Sequence, residues 1–366
     1  LMAQANDKTI HFGWFIPTTG DGIGFGTLEG RIPAGMNLFM DVAEAAENAG
    51  FEYALVPVEV NCWEAWISCS MVAARTEKLK LLVAARPGYI VPTMMAKMVT
   101  TFDQLTGGRV YVNLIAGPGG AQQAMDGITF DHDQRYAVMD ETVEIMKRVW
   151  TETDPVDYTG EHFELQGAVI KPKPYQQPHP PFYIGGESAA GREVGAKHAN
   201  VYLLWGDTME NTGRKIQEIR EIASTYGRAD ELRFGMRLQI VVREDEDDAW
   251  AAAHAMIANA TDEARAHRER MWEQSESNDH MWELTKVEDF RIEPHLWSGL
   301  STVRPGAGVA VVGNPEQVAA TLEQFIELGC TEFCLSGSPH AREAERFGEL
   351  VMPYFASRRA PEYVKN

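Results

Sequence analysis

Gly107-Gly108-Arg109-Val110-Tyr111-Val112-Asn113-Leu114-Ile115-Ala116-Gly117 is the stretch on which the reading of this chain turns. Two glycines make a tight turn, an apolar run interrupted by one amide follows, and a third glycine marks where the chain leaves the strand. A strand with one wet face alternates in polarity, whereas a near-continuous apolar run belongs to a parallel sheet covered on both faces. Asn113 is then an amide set inside an apolar strand, and a buried amide needs hydrogen-bond partners. Those partners are either neighbouring backbone groups or a polar heterocycle bound at the strand's end.

The same punctuation repeats on both sides of this stretch. His11–Ile16 is a short apolar strand stopped by Pro17, followed by a Gly-rich functional loop, Thr18–Arg31. Met36, Leu38, Phe39, Val42, Ala45, Ala46 and Ala49 recur at helical spacing up to Gly50. Strands at Tyr53–Val56 and Leu79–Ala85 alternate with helices near 62–75 and 92–105, and the helix 133–150 follows the opening strand. A Pro-rich excursion, 151–181, carries a hairpin around Tyr158-Thr159-Gly160-Glu161. Alternation resumes with strands at Phe182–Gly186, Val201–Trp205, Arg233–Arg243 and Glu332–Leu335. Eight strand–helix units predict an α/β fold of the (β/α)8, or TIM-barrel, type, in one domain over 9–357. A doubly wound dinucleotide fold would need a glycine turn opening a helix directly, and Gly20-Asp21-Gly22-Ile23-Gly24 does not. The charged insertion 261–308 before the last strand reads either as a mobile lid at the barrel mouth or as an ordered surface loop.

Composition narrows the function. The 366 residues carry a formal net charge of −20, which argues against nucleic acid and anionic membranes as partners. No run reaches the roughly 18 apolar residues of a membrane span, and Leu1–Lys8 lacks the pattern of a secretory signal. Cys62, Cys69, Cys330 and Cys334 form no Cys-x-x-Cys pair and have no histidines at ligand spacing, so no metal site and a reducing cytoplasm are expected. A nucleophile elbow and a His-Glu-x-x-His pair are both missing, which leaves hydrolase readings without support.

In such a barrel the reacting groups stand where strands become loops. That rule collects Pro17, Thr18 and Thr19, then Cys62 with Glu64, Arg86, Asn113 with Gly117, Gly185 through Ser188, Trp205, Arg237 with Gln239, and Ser336 through His340. Arg237 and Gln239 fall on one face of a largely apolar strand, and a buried guanidinium must meet an anion, either a structural carboxylate or an anionic ligand. Gly185-Gly186-Glu187-Ser188 opening a helix suits a phosphate, or is a plain turn with Ser188 as its cap. Cys62 beside Trp63 reads more readily as a packed thiol than as a nucleophile, and His340 after Pro339 as a helix start.

Taken together, these stretches resemble the bacterial luciferase-like flavin monooxygenases, and within them the FMNH2-dependent alkanesulfonate monooxygenases, from about residue 11 to 355. The motifs run in order: Phe15-Ile16-Pro17-Thr18-Thr19-Gly20-Asp21-Gly22, Cys62-Trp63-Glu64-Ala65-Trp66, Gly107-Gly108-Arg109 with Asn113, and Asp131-His132-Asp133-Gln134-Arg135-Tyr136. They continue through Tyr183-Ile184-Gly185-Gly186, Trp205-Gly206, Phe234-Gly235-Met236-Arg237, Val303-Arg304-Pro305-Gly306-Ala307-Gly308 and Leu335-Ser336-Gly337-Ser338-Pro339-His340. The resemblance implies a barrel that binds reduced FMN supplied by a separate NAD(P)H-dependent flavin reductase, activates O2, and breaks a carbon–sulfur bond to give an aldehyde and sulfite. By position, Asn113, Tyr136, Gly185, Gly186 and Ser188 would hold the flavin, and Cys62 would lie near its reactive edge. Trp205, Arg237, Arg304 and His340 would line the substrate pocket, Arg304 arriving on the insertion. The family is usually dimeric or tetrameric. This chain has Thr19 and Gln239 where the pattern has His, and Ser338 where it has Tyr, which removes two imidazoles and a phenol; Glu187 stands where a small hydroxyl residue is usual. The same barrel also serves F420-dependent hydride transfer, and a flavin-binding relative without catalysis is a third reading.

Overall fold

The computed structural model describes residues 8–117, 121–271 and 275–364. Eight parallel strands form a ring: β1 His11–Phe15, β2 Tyr53–Val56, β3 Lys80–Ala85, β4 Val110–Leu114, β5 Phe182–Ile184, β6 Val201–Trp205, β7 Arg233–Val242 and β8 Cys330–Ser336. Neighbours pair in sequence, and β8 returns to β1, which closes the (β/α)8 barrel expected from the alternation. The opening stretch behaves as read. Gly107 caps the helix Pro92–Thr106 at φ 64°, its N–H donating to the carbonyls of Asp103 and Gln104, and every residue of β4 is buried. Gly50 closes the helix Met36–Ala49 in the same left-handed way.

Period-two alternation sorts each strand into an outer face against the helices and an inner face against the lumen. The lumen is layered. At its N-terminal end Glu52, preceding β2, accepts from Lys80 at 2.8 Å and from the Tyr111 hydroxyl at 2.8 Å, and lies 2.6 Å from His11 Nδ1. Glu332 joins this plug through Arg233 and the Tyr183 hydroxyl. Above it Tyr53, Tyr111 and Tyr183 pack with ring centroids 5.6–5.8 Å apart. Phe15, Asn113, Arg237 and Ser336 continue the inner faces towards the C-terminal mouth.

Several elements escaped the sequence reading, two of them just before β8. The strand Ala310–Gly313 and the helix Pro315–Leu328 lie between the insertion and β8. Their signals were present: Asn314 caps the helix reciprocally with Gln317, Pro315 takes its first turn, and Gly329 ends it at φ 111°. β7 explains the strand. Its first half pairs with β6 as far as Trp205↔Arg237, and from Gln239 onward the same edge pairs with Ala310–Gly313. Short strands Arg291–Glu293 and Leu296–Trp297 extend this ribbon antiparallel. Residues 261–308 otherwise hold the helices Asp262–Met271 and Glu276–Glu283. The charged stretch 262–283 reads from sequence as either a helix or a mobile segment, and its residues 272–274 lie outside the described residues. The hairpin of the excursion spans Val156–Thr159 and Glu164–Ala168.

Candidate functional site

Arg237 leaves β7 towards the lumen and is buried. Its Nη1 donates to the carbonyls of Leu238 (3.0 Å) and Cys334 (3.3 Å), its Nη2 to Ser336 Oγ (3.0 Å), and its guanidinium lies 4.7 Å from the Phe15 ring centroid. Of the two partners open from sequence, the structural carboxylate is missing: Arg237 forms no ion pair with a described residue. Burial therefore lowers its pKa with only weak compensation from Cys334 and Tyr53. Arg304, brought by the insertion, sits 5.6 Å from the centroid of the Phe25 ring and donates Nε to the Pro305 carbonyl at 3.3 Å. Burial, and after it the charge of Arg237, pulls its pKa down to about 9. Arg304 likewise has no acidic partner among the described residues.

The neighbours of this pair are neutral. Ser336 Oγ donates to Gln239 Oε1 at 2.7 Å, and Gln239 Nε2 donates to the Ala307 carbonyl at 3.3 Å, tying the Arg304 segment to β7. Trp205, half-buried, is the register partner of Arg237 on β6. His340 starts the helix His340–Leu350 but caps nothing with its ring, which lies 5.7 Å from Phe15 and 2.9 Å, through Nδ1, from Asp21 Oδ1. Asp21 also accepts from the His340 backbone N–H at 2.7 Å. Burial alone would raise the Asp21 carboxyl, but the hydrogen bond and charge of His340 outweigh it and hold the carboxyl below its ordinary range. The sequence reading took Thr18–Arg31 as a functional loop and set its glycines aside as a dinucleotide turn, but it did not single out Asp21 as the histidine's partner. Ser338 is buried, and Thr19 is exposed with its carbonyl accepting from Arg31 at 2.6 Å. Burial pushes the Cys62 thiol up to about 11, so it stays protonated at neutral pH beside Thr18.

A second group lies on β4, β5 and their loops. Asn113 is buried, and its amide hydrogen-bonds to no described residue. Among the described residues the backbone bonding that is one of the two readings from sequence is not found. Ser188 caps the ten-residue helix Ala189–His198 by accepting from Gly191 N–H at 3.2 Å. The Tyr136 hydroxyl is lodged beside it, so close that a Cβ at Gly186 or Gly191 would stand 2.9 Å away. A Cβ at Gly185 would come 2.3 Å from the Leu203 carbonyl, so both glycines of the turn are sterically required. Glu187 does not offer free negative charge there: Lys215 Nζ holds it at 2.9 Å, and Arg192 approaches to 3.9 Å. Lys215 also meets the fully buried Asp207 at 3.0 Å, and Asp207 accepts from His280 of the insertion at 2.6 Å. Burial opposes ionisation of Asp207, yet His280 and Lys215 together hold its carboxyl at about 2. Lys215, Asp207 and His280 carried no signal in the sequence, because they meet only through the fold.

Among the described residues no cluster of His, Cys, Asp and Glu could hold a metal ion, and no helix is long and apolar enough to cross a membrane. Residues 10–332 match the family model of the luciferase-like monooxygenases. The fold is shared with riboflavin lyase RcaE, solved with modified FMN and riboflavin (TM-score 0.79, 22% identity, 97% of this chain and 94% of that one). Long-chain alkane monooxygenase LadA is similar (TM-score 0.77, 22% identity, 96% and 92% covered). So is the coenzyme F420-dependent tetrahydromethanopterin reductase of Methanopyrus kandleri (TM-score 0.67, 21% identity, 95% and 99% covered). With the barrel closed, the strand-end residues gathered at its mouth and the family match spanning nearly all of the ring, this chain belongs to the luciferase-like monooxygenase family.

Proposed function

We propose that the chain is an FMNH2-dependent monooxygenase of the two-component kind, acting on a small anionic organosulfur compound. A single barrel over 9–357 would carry the site and residues 261–308 its lid. The observation that carries this reading is Arg237, a buried cation without an acidic partner among the described residues, with the half-buried Arg304 of the insertion as a second such cation. A buried unpaired charge costs several kcal/mol, and an anionic substrate group removes that cost. A sulfonate offers three acceptor oxygens to two guanidinium forks.

The residues present fit FMN. The unpartnered Asn113 amide matches the donor and acceptor edge of a flavin ring, and the backbone N–H groups at Gly186–Ser188, with Ser188 and Tyr136, suit its phosphate. Glu187 is tied to Lys215 and leaves that turn open to an anion. Reduced FMN, supplied by an NAD(P)H-dependent reductase, provides the electrons that activate O2. The overall conversion is alkanesulfonate, O2 and FMNH2 to aldehyde, sulfite, FMN and water. Arg237 orients the sulfonate and Arg304 closes over it. His340, its Nδ1 fixed on Asp21, keeps Nε2 free to hydrogen-bond a substrate, while Gln239 is a neutral strut. Trp205 forms a wall of the pocket, and Cys62 acts as an uncharged thiol near the flavin.

Exposed apolar side chains, Trp63, Ile67 and Met71 four residues apart and Val91 and Met94 at the start of the next helix, support a homodimer or homotetramer, which sedimentation velocity reads directly. Four unpaired cysteines suit a cytoplasmic setting.

The test incubates purified protein with FMN, a flavin reductase, NADH and a panel of alkanesulfonates, and measures sulfite. Substrate-dependent sulfite with a matching aldehyde supports the proposal. Turnover of another substrate without sulfite keeps the monooxygenase and removes the sulfonate; tight F420 binding without binding of reduced FMN replaces both.

A further inference from the structure

The inner face of β3 runs Lys80, Leu82, Ala84, and the alternation carries one residue past the strand to Arg86. Arg86 is buried, at 5% exposure. Nη1 reaches only the Tyr89 hydroxyl, at 3.4 Å, and Tyr89 in turn donates to Asp126 at 3.1 Å. Nε has no hydrogen-bond partner, and Arg86 forms no ion pair with a described residue. Beside it on β4 stands Asn113, register partner of Ala84, whose amide is equally unpartnered. Gly117 (φ 80°) keeps the space at Nε clear, since a Cβ there would stand 3.2 Å from that atom. Gln123, the other polar side chain at this point, is already committed to the Ala116 carbonyl at 2.7 Å.

These are two inward-facing polar groups on adjacent strands at the barrel mouth, one a cation with no anionic partner and a free Nε, the other an amide bonded to no described residue. A neutral ligand would satisfy the amide and leave the guanidinium uncompensated, so the site is built for a flat acceptor edge that carries negative charge. We propose that Arg86 and Asn113 form a subsite selective for the anionic, reduced state of the bound flavin. Arg86 pairs with the N1–C2=O edge, where the charge of the deprotonated reduced ring resides, and Asn113 completes that edge. The inference rests on the flavin reading above. It makes Arg86 the residue by which this chain prefers reduced over oxidised cofactor, as an enzyme fed by a separate reductase requires.

The experiment measures dissociation constants of oxidised FMN and of anaerobically photoreduced FMN for the wild type, Arg86→Met, Arg86→Lys and Asn113→Asp. The wild type is expected to bind reduced FMN more tightly. Arg86→Met should weaken reduced FMN at least tenfold and oxidised FMN less than twofold, with Arg86→Lys recovering part of the loss. Asn113→Asp supplies the missing carboxylate, so it should fold well and abolish the redox preference, which keeps the test decisive if Arg86→Met folds poorly. Equal weakening of both redox states in Arg86→Met would assign Arg86 to the phosphate and overturn the proposal. An unchanged ratio in both Arg86→Met and Asn113→Asp would overturn it as well. A wild type that binds neither form refutes the flavin reading itself, a result distinct from either.

Discussion

Arg237 spends its donors on two strand carbonyls and a serine, all neutral, and lies against the face of Phe15. Such a residue serves a ligand at the expense of the empty protein, since removing an uncompensated buried charge is often neutral or stabilising. Arg237→Met is therefore expected to raise the unfolding free energy of the ligand-free protein by about 1–3 kcal/mol, read from urea midpoints. The apparent KM for an accepted sulfonate should rise tenfold or more with oxidised FMN affinity unchanged. A clear loss of stability would instead make the three hydrogen bonds the reason for the arginine. Asp21 illustrates another residue-scale point. Alone it is one more acid of a Gly-rich loop; only the approach of the helix His340–Leu350 to that loop makes it the group that fixes which imidazole nitrogen is free.

At the scale of elements, the insertion is held at two points that share one helix. His280 of Glu276–Glu283 meets Asp207 beyond β6, and Asn278 of the same helix accepts from the Gly306 N–H at 2.8 Å, two residues after Arg304. The helix thus links the charge cluster at Lys215 to the loop that presents the second arginine. Asn278→Ala removes the bond from the Gly306 N–H, worth about 1 kcal/mol, along with the one Nδ2 donates to Ser275 Oγ at 3.0 Å, so amide exchange over residues 299–308 should quicken by roughly fivefold to tenfold. The opening strands should not change. Uniform acceleration would mean that Asn278 supports the whole fold and does not clamp the lid. Pairing of Ala310–Gly313 along β7 is the other anchor, and it accounts for the length of that strand.

For the molecule as a whole, the charged plug at the N-terminal end of the lumen sets the response to acid. Burial would raise the Glu52 carboxyl, but His11 and Lys80 hold it at about 2 against an ordinary 4.5. That difference contributes about 3 kcal/mol at neutral pH. Because the folded-state pKa is depressed, this stabilisation is complete above 4.5 and is lost as pH falls towards 2. His11 is the opposite case: burial opposes its charge, the carboxylates of Glu52 and Glu332 outweigh burial, and its pKa is raised above 6.5. Its share is complete below 6.5 and fades as pH rises through the raised value. Glu52→Gln should thus be markedly less stable than the wild type at pH 6, with the gap narrowing as both approach pH 2 in denaturant titrations. A pH-independent gap would mean that packing of the side chain matters and its charge does not.

What the sequence determined by itself is what depends on local pattern. Period-two and period-3.6 apolar spacing, with glycine and proline punctuation at Gly50, Gly107 and Pro17, gave the strands, the order of strand and helix, and the barrel. Strand ends then named Asn113, Arg237, Trp205 and the Gly185–Ser188 turn as residues of the mouth. The strand Ala310–Gly313 was too short to carry a period, and its partner on β7 is about seventy residues away. Only the tertiary structure decided which charges are compensated. Whether Arg237, Arg304 and Arg86 meet a carboxylate, whether Asn113 finds a partner, and that Glu187 is silenced by Lys215 are facts about groups far apart in the chain. Electrostatic compensation depends on distance in space and on burial, and neither is written in the neighbourhood of a residue along the sequence.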